Sequence, residues 1–174
     1  MKKYLVGFVI AAALVSCNNK KDSDGTNTEK AHEQVSVITD YNQLFDKFTQ
    51  NNELLYVVNY WATWCTPCVE ELPHFMEVNQ EFSDHPHFEM ILVSLDKADA
   101  LETEVKPFVS QNHISTDVYI LSDNKQMTEW IPLVNERWSG AIPATALYKN
   151  GKQVAFTEGT LTKEELKDLI NKHL

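Results

Sequence analysis

Cysteines, basic residues and long hydrophobic runs are all scarce in this sequence of 174 residues. Fifteen Lys and Arg residues stand against 25 Asp and Glu residues, and the net charge is −10. This balance, together with the lack of a basic patch that contains interleaved aromatic residues, disfavours nucleic acids and anionic lipid headgroups as partners. Residues 4–15 form an apolar run, but a helix that crosses a bilayer needs about twenty residues. The run is therefore too short to predict a membrane-spanning helix.

The Cys and His residues are too few and too scattered to predict a metal site. A structural zinc ion usually takes four Cys or His ligands, commonly from two paired clusters. Cys65 and Cys68 form a single CxxC pair, and no second CxxC or HxxxH-like pair follows it. His85 and His87 flank Pro86 in a predicted loop, which we interpret as a solvated turn. We expect no metal and no external cofactor.

The N-terminal segment has the features of a secretory signal peptide. A basic start, Met1 to Lys3, precedes the apolar run at 4–15. The run ends in Leu14-Val15-Ser16-Cys17, which resembles the lipobox of bacterial lipoproteins. The resemblance implies that residues 1–16 are cleaved off as a signal peptide and that Cys17 is lipidated. The alternative is an ordinary secretory leader with an incidental cysteine, but an unpaired cysteine in a secreted chain asks for an explanation.

Residues 17–36 are predicted to be a lipidated cysteine followed by a flexible tether. The stretch from Asn18 to Gln34 is polar and has no apolar periodicity, as expected of a segment that cannot form a core. A tether on a lipid anchor would hold the following domain, residues 37–174, near the extracytoplasmic face of a bacterial membrane. Stable anchoring requires more than one acyl chain.

The other two cysteines lie at a predicted junction between a strand and a helix. The apolar run Leu54–Val58 predicts a buried strand, and residues 69–76 predict the start of a helix. The N–H groups and dipole at a helix N-terminus favour a thiolate at Cys65. Cys68 lies one turn later on the same face and can form a disulfide with it, and Pro67 fits the first helical turn because it has no N–H to lose. We therefore favour a redox-active pair over a zinc half-site or two structural thiols.

Two stretches resemble the thioredoxin superfamily, and within it the TlpA/ResA-like, membrane-anchored thiol–disulfide oxidoreductases. Residues 58–68 end in Trp-Ala-Thr-Trp-Cys-Thr-Pro-Cys, and residues 140–145 read Gly-Ala-Ile-Pro-Ala-Thr. The resemblance covers about residues 37–174. It implies an α/β fold, a thioredoxin-like three-layer sandwich with a central mixed sheet. It also implies an α/β insertion at about 96–138, followed by a cis-proline loop.

Periodicity and turn signals agree with that architecture. In addition to the strand that ends at Tyr60, they predict strands at 35–38, 88–95, 117–121, 145–148 and 153–157. Helices are predicted directly after Asp40 and at 66–82, 98–113, 125–138 and 163–174. Asn150-Gly151 predicts a hairpin turn, and Thr162 with Glu165 predicts a capping box. Trp130 and Trp138 are interpreted as core residues of the insertion.

The resemblance also implies roles for individual residues near the CxxC pair. Cys65 would be the attacking thiolate, and Cys68 would be the resolving cysteine. Ile142 and Pro143 would form a cis-proline loop whose backbone pairs with an extended substrate strand. The positions of Trp61 and Trp64 beside the pair suit a shield for the cysteines and a substrate-binding platform, and the alternative is core packing. We expect Trp61 in the core and Trp64 at the surface as part of the platform.

A carboxylate that serves Cys68 is a further implied feature. Asn59 stands where thioredoxins carry a buried Asp, and Asn cannot titrate. Glu71, three residues beyond Cys68, matches the carboxylate of TlpA/ResA-like proteins, so we expect it to donate or accept a proton at Cys68. The alternative is that Glu71 is only a favourable first-turn acid on a solvated face, which is the position expected of Glu70.

The expected function is that of an extracytoplasmic thiol–disulfide oxidoreductase that uses the redox-active disulfide Cys65–Cys68. We favour the reduction of exported cysteine-containing proteins, which by resemblance include apocytochrome c, with electrons from a membrane thiol donor. A disulfide-forming oxidase and a non-catalytic client-binding lipoprotein stay open as alternatives. A peroxidase is disfavoured because the sequence has a CxxC pair and lacks the setting expected of a peroxidatic cysteine.

Overall fold

Strand β2, Leu55–Trp61, is the centre of the fold, and every one of its residues is buried. The structure, a computed structural model, describes residues 34–122 and 127–174. The remaining strands within these ranges are β1 (Val35–Ile38), β3 (Phe88–Ser94), β4 (Asp117–Leu121), β5 (Ala144–Lys149) and β6 (Lys152–Glu158). Together the strands form a single sheet in the order β1-β4-β3-β2-β5-β6.

The sheet is mixed, as predicted. Strands β1, β4, β3 and β2 are parallel to one another, whereas β5 is antiparallel to β2 and β6 is antiparallel to β5. Successive side chains of β2 lie on opposite faces of the sheet. Tyr56, Val58 and Tyr60 join one core cluster, and Leu55 and Val57 join another. Because both faces of the central strands are covered, β2 is nearly continuously hydrophobic instead of alternating between apolar and polar residues.

Helices cover the two faces of the sheet. Helices α1 (Tyr41–Phe48) and α4 (Met127–Val134) pack on the face of Tyr60. Helices α2 (Thr66–Phe82), α3 (Lys106–Gln111) and α5 (Lys163–His173) contribute to the clusters on the other face. The predicted three-layer sandwich around a mixed sheet is therefore confirmed.

The predicted helix starts at Asp40 and Thr162 are confirmed. The Asp40 carboxylate accepts a hydrogen bond of 2.9 Å from the backbone N–H of Asn42. The Thr162 hydroxyl accepts one of 3.3 Å from the N–H of Glu165, and the Glu165 carboxylate accepts one of 2.9 Å from the N–H of Thr162. These side chains satisfy N–H groups that have no partner within the first turn of a helix.

The first helix of the insertion differs from its prediction. The single helix expected at 98–113 is divided into a 3₁₀ turn (Ala98–Ala100), a π-helical turn (Leu101–Val105) and α3. Pro107 lies in the first turn of α3. Because proline has no N–H, it fits a first turn but interrupts a continuous α-helical ladder.

The two tryptophans assigned to the core of the insertion lie instead in the main core. Trp130 and Trp138 are 2% and 5% exposed. Their rings lie 6.4 Å and 4.9 Å from the ring of Tyr60 on β2, between centroids. Helix α4 ends at Val134, before the predicted end at 138, so Trp138 reaches the sheet from the connection that follows the helix.

Strand β1 begins at Val35, two residues before the predicted domain boundary at 37. Because these residues pair with β4, they belong to the folded domain and not to the tether. The predicted signal peptide at 1–16, Cys17 and the tether up to residue 33 lie outside the described residues. None of the described helices is long and apolar enough to cross a membrane.

Candidate functional site

The CxxC pair lies where β2 passes into α2. Cys65 is the residue before the first turn of the helix, and Pro67 lies in that turn. The Cys65 and Cys68 sulfurs form a disulfide of 2.01 Å, with the Cα atoms 5.3 Å apart. Cys65 is 6% exposed and Cys68 is fully buried. Cys65 is therefore the sulfur that an incoming thiol or disulfide can reach.

A segment distant in sequence lies against the Cys65 sulfur. The Ile142–Pro143 peptide bond is cis, as predicted. The carbonyl oxygen of Ile142 lies 3.7 Å from Cys65 Sγ, and the Pro143 carbonyl accepts a hydrogen bond of 2.9 Å from the Gly159 N–H. The second predicted motif is thus brought against the first.

Glu71 lies inside the protein and not on a solvated face. It is 4% exposed, whereas its neighbour Glu70 is exposed. Glu71 Oε1 accepts a hydrogen bond of 2.9 Å from Asn59 Nδ2, and Oε2 accepts one of 3.0 Å from the Leu161 N–H. Asn59 Nδ2 also donates to the Thr145 hydroxyl at 3.1 Å. The carboxyl group is therefore held between α2, the central strand and the segment before α5.

Burial brings the titration of Glu71 close to neutral pH. Loss of solvent around the carboxylate raises the pKa of Glu71 to about 7, although the hydrogen bonds from Leu161 and Asn59 act in the opposite direction. A buried carboxyl group with a pKa in this range can take up and release a proton at neutral pH. Glu71 and Cys68 are three residues apart on α2, and both are buried, so they lie on neighbouring positions of one helix face.

Asp96, which directly follows the strand predicted at 88–95, is a site residue that the sequence analysis missed. It is 2% exposed. Its carboxylate accepts hydrogen bonds from the Thr63 N–H at 3.0 Å and the Thr63 hydroxyl at 2.7 Å. A third, of 2.7 Å, comes from the Ser94 hydroxyl. Asp96 thus holds the turn that leads to Cys65, and its position at the carboxyl end of a predicted strand was the available signal.

Trp64 and Trp61 have the environments predicted for them. Trp61 is fully buried against Phe108, with ring centroids 5.1 Å apart, whereas Trp64 is 66% exposed. Trp64 borders an open cleft of about 480 Å³. The cleft is otherwise lined by residues of the turn and helix that follow β3, namely Asp96, Lys97, Asp99, Ala100, Thr103 and Glu104. A large aromatic surface is therefore available beside the CxxC pair.

The described residues contain no group of three or more His, Cys, Asp and Glu side chains placed to hold a metal ion. His85 and His87 lie in the turn before β3, with ring centroids 5.9 Å apart. His85 is exposed and His87 is partly exposed, which agrees with their interpretation as a solvated turn. Cys17, the predicted lipidation site, lies outside the described ranges.

Comparisons with known proteins agree with this geometry. The sequence profile of the AhpC/TSA family matches residues 28–157. The thiol-disulfide oxidoreductase ResA of Bacillus cereus (strain ZK / E33L) is 31% identical over 116 residues, which cover 66% of this chain and 61% of that protein. The chain thus aligns with about three fifths of the length of such curated relatives.

Solved structures are similar in fold. StoA from Bacillus subtilis has a TM-score of 0.54 and 22% identity, covering 69% of this chain and 84% of that one. A thiol:disulfide interchange protein of the thioredoxin family from Chlorobium tepidum TLS has a TM-score of 0.59 and 19% identity, covering 74% and 83%. Because the family profile matches most of its length, the chain belongs to the AhpC/TSA family, and its similarity to ResA and StoA supports the resemblance to TlpA/ResA-like proteins of the thioredoxin superfamily.

Proposed function

We propose that this protein is a thiol–disulfide oxidoreductase that works through Cys65 and Cys68. The observation that carries the proposal is the disulfide at the start of α2 with the Ile142 carbonyl 3.7 Å from the outer sulfur. A backbone segment at this distance can align an extended client strand so that a client sulfur meets Cys65. The curated relatives named thiol-disulfide oxidoreductase ResA support the same activity.

In the reducing direction, the Cys65 thiolate attacks one sulfur of a client disulfide, and the other client sulfur leaves as a thiolate. The Cys68 thiolate then attacks Cys65 Sγ in the mixed disulfide and releases the second client thiolate. The Cys65–Cys68 disulfide is formed, and two electrons have passed to the client. The protons lost by the two protein thiols balance those taken up by the two client thiolates. A dithiol donor returns the protein to its reduced state.

Glu71 is proposed to take the proton from Cys68 before the second step. Its burial, its position one turn beyond Cys68 and its pKa of about 7 support this role. A proton acceptor at this place raises the fraction of Cys68 thiolate, which is the nucleophile of that step. The exposed Trp64 is proposed to have a separate role, which is to contact the client.

The cellular setting is proposed from the sequence and the relatives. Cleavage of residues 1–16 and lipidation of Cys17 would place the domain on the extracytoplasmic side of a bacterial membrane. Its clients would be exported cysteine-containing proteins, with apocytochrome c as one candidate, and a membrane thiol would supply electrons. The ResA-like relationship and the Thr-Pro dipeptide between the cysteines favour the reducing direction.

The reduction potential of the Cys65–Cys68 pair tests the proposal, measured by equilibration with glutathione or dithiothreitol buffers. A value near that of thioredoxin, about −270 mV, is expected of a reductase. A value near about −120 mV, the range of strong oxidants, would instead identify a disulfide donor. Lack of any reversible couple would leave a client-binding protein without redox activity.

A further inference from the structure

Trp138 is connected to the segment that faces Cys65. Its indole Nε1 donates a hydrogen bond of 2.8 Å to the carbonyl of Ala141. The indole ring is 5% exposed and lies 4.9 Å from the Tyr60 ring and 6.0 Å from the Phe156 ring, between centroids. The next carbonyl along the chain, that of Ile142, is the one that lies 3.7 Å from Cys65 Sγ. The aromatic cluster of Trp138, Tyr60 and Phe156 therefore supports the backbone beside the Cys65 sulfur.

A second connection holds the same segment from the end of β6. The Glu158 carboxylate accepts hydrogen bonds from the Ser139 N–H at 2.9 Å and from the Ser139 hydroxyl at 2.5 Å. The Ser139 hydroxyl oxygen in turn accepts a bond of 3.3 Å from the Ala141 N–H. Both backbone groups of Ala141 are thus engaged within the protein. Residues 139–143 are called the cis-proline segment below.

The backbone N–H and carbonyl of Ile142 differ from those of Ala141 in their hydrogen bonding. Within residues 34–122 and 127–174, the Ile142 N–H and carbonyl make no backbone hydrogen bond. They are flanked by Ala141, held by Trp138 and Ser139, and by Pro143, whose carbonyl is held by Gly159. The backbone N–H and carbonyl of Ile142 are thus available to a client, while the residues on both sides of Ile142 are held in place by hydrogen bonds.

We propose that Trp138 and Glu158 are positioning residues for client polypeptides. They act through the cis-proline segment and touch neither the sulfurs nor the client. The inference rests on the proposed oxidoreductase function and deepens it, because it identifies what holds the client-binding backbone at its distance from Cys65. Client recognition through Ile142 needs both backbone pairing and the correct distance to the sulfur, so small displacements of the segment reduce reaction with a polypeptide.

A small dithiol provides the contrasting case. Dithiothreitol reaches Cys65 without pairing to the backbone, so its rate reports the reactivity of the disulfide alone. A change that loosens the segment should therefore slow reaction with a polypeptide disulfide and leave the reaction with dithiothreitol unchanged. A residue with a merely structural role would not separate the two rates.

Two variants loosen the segment from its two sides. Trp138→Phe keeps an aromatic ring in the cluster and removes the donor to Ala141, with Phe156→Leu as a control that opens space beside Trp138 but leaves the donor in place. Glu158→Ala removes the acceptor for Ser139 at an exposed position where folding is not at risk. Glu164→Ala removes an equal charge from an exposed position of α5 and is its control.

The full chain is reduced, freed of reductant and mixed with insulin, and the separated insulin chains are quantified over time. The oxidised protein is mixed with dithiothreitol in parallel. Trp138→Phe loses one hydrogen bond and Glu158→Ala loses the two from Ser139. For both variants we expect the rate with insulin to fall by about tenfold or more, as the loss of hydrogen bonds of ordinary strength predicts. The rate with dithiothreitol and both rates of the two controls should stay within about twofold.

Unchanged insulin rates in both variants would overturn the inference. Equal slowing with insulin and dithiothreitol would also overturn it, because the segment would then act on the disulfide itself. If the unaltered protein neither reduces insulin nor has a measurable reduction potential, the proposed function fails instead. If the unaltered protein has a measurable reduction potential and both variants reduce insulin at the normal rate, only the positioning role is overturned.

Discussion

Glu71 Oε1 lies 2.9 Å from Asn59 Nδ2, and both side chains are buried between α2 and the central strand. Asn59 Oδ1, also buried, has no hydrogen-bond partner within the described ranges. A carboxylate in such a place costs more free energy than a protonated carboxyl group, because burial removes the water that solvates the charge. The pair therefore places a group that titrates near neutral pH one helical turn from Cys68.

The first prediction concerns the pH dependence of the redox reaction. Once the mixed disulfide has formed, the rate at which Cys68 resolves it should rise with pH through about 7, where Glu71 loses its proton. Glu71→Gln cannot accept a proton and should lose this step from the profile. Stopped-flow rates with insulin between pH 5 and 9 test it, with Glu70→Gln as the exposed control. A profile of Glu71→Gln identical to that of the unaltered protein would remove Glu71 from the mechanism.

The second prediction concerns the pH dependence of stability. The pKa of Glu71 is about 7 in the folded protein and near 4.5 in the unfolded chain. The folded state therefore binds this proton more tightly, and the contribution of Glu71 to the free energy of unfolding is largest below about pH 4.5 and is lost as the pH rises through 7. At about 1.4 kcal/mol for each pH unit, the loss is on the order of 3 kcal/mol.

Urea unfolding of the unaltered protein and of Glu71→Gln at pH 5 and pH 8 measures this term. The free energy of unfolding of Glu71→Gln, relative to that of the unaltered protein, should be higher at pH 8 than at pH 5, because Gln carries no charge to bury. Other titrating groups cancel in the comparison. A difference that is the same at both pH values would contradict the raised pKa of Glu71.

The third prediction separates the two cysteines. Cys68→Ser should accumulate a mixed disulfide between Cys65 and a client, because no second thiol is left to resolve it. Cys65→Ser should accumulate little, because the remaining sulfur is fully buried. Non-reducing electrophoresis followed by mass spectrometry of the adduct identifies the sulfur. Accumulation in Cys65→Ser alone would reverse the assigned roles.

The fourth prediction concerns Asp96. Asp96→Ala leaves the Thr63 N–H, the Thr63 hydroxyl and the Ser94 hydroxyl without their acceptor. We expect a loss of about 2–3 kcal/mol in the free energy of unfolding, since buried donors without partners are costly. Asp99→Ala, an exposed acid in the same connection, is the control in a urea titration. Equal stability of the two variants would show that the bonds of Asp96 contribute nothing measurable.

The fifth prediction contrasts the two tryptophans of the motif. Trp64→Ala should change the free energy of unfolding by no more than about 0.5 kcal/mol, because the side chain is 66% exposed. Trp61→Ala should cost about 3–5 kcal/mol, because it leaves a cavity in the core. Thermal unfolding measures both effects. If Trp64 contacts the client, Trp64→Ala should also slow reaction with insulin more than reaction with dithiothreitol.

Local signals in the sequence were sufficient to predict most elements of this fold. The side chains of Asp40 and Thr162 mark the starts of α1 and α5 through bonds to residues no more than three positions away. Asn150 and Gly151 adopt φ angles of +51° and +73°, as a tight hairpin turn requires. A Cβ at Gly151 would lie 2.8 Å from the Thr49 carbonyl oxygen, so glycine is required there for two reasons. Such interactions depend on neighbours in the chain, which sequence patterns record.

The pairing of the CxxC motif with the cis-proline segment was predicted by resemblance to a family, since 77 residues separate Cys65 from Ile142. The residues that the sequence missed are those whose partners are set by packing alone. Trp138 was placed in the insertion because periodicity records that a side chain is buried and not which core it enters. The hydrogen bonds of Asp96 to Thr63 span 33 residues.

The sequence by itself determined the strands, most helix starts, the redox pair and the exposed position of Trp64, because each depends on local spacing or on a motif. Tertiary structure alone decided the protonation of Glu71. Its partners Asn59 and Leu161 lie 12 and 90 residues away, and only the packing of α2 against the sheet removes the water around its carboxylate. Desolvation is a property of a site in the folded protein, so no spacing of residues along the chain could have specified a pKa near 7.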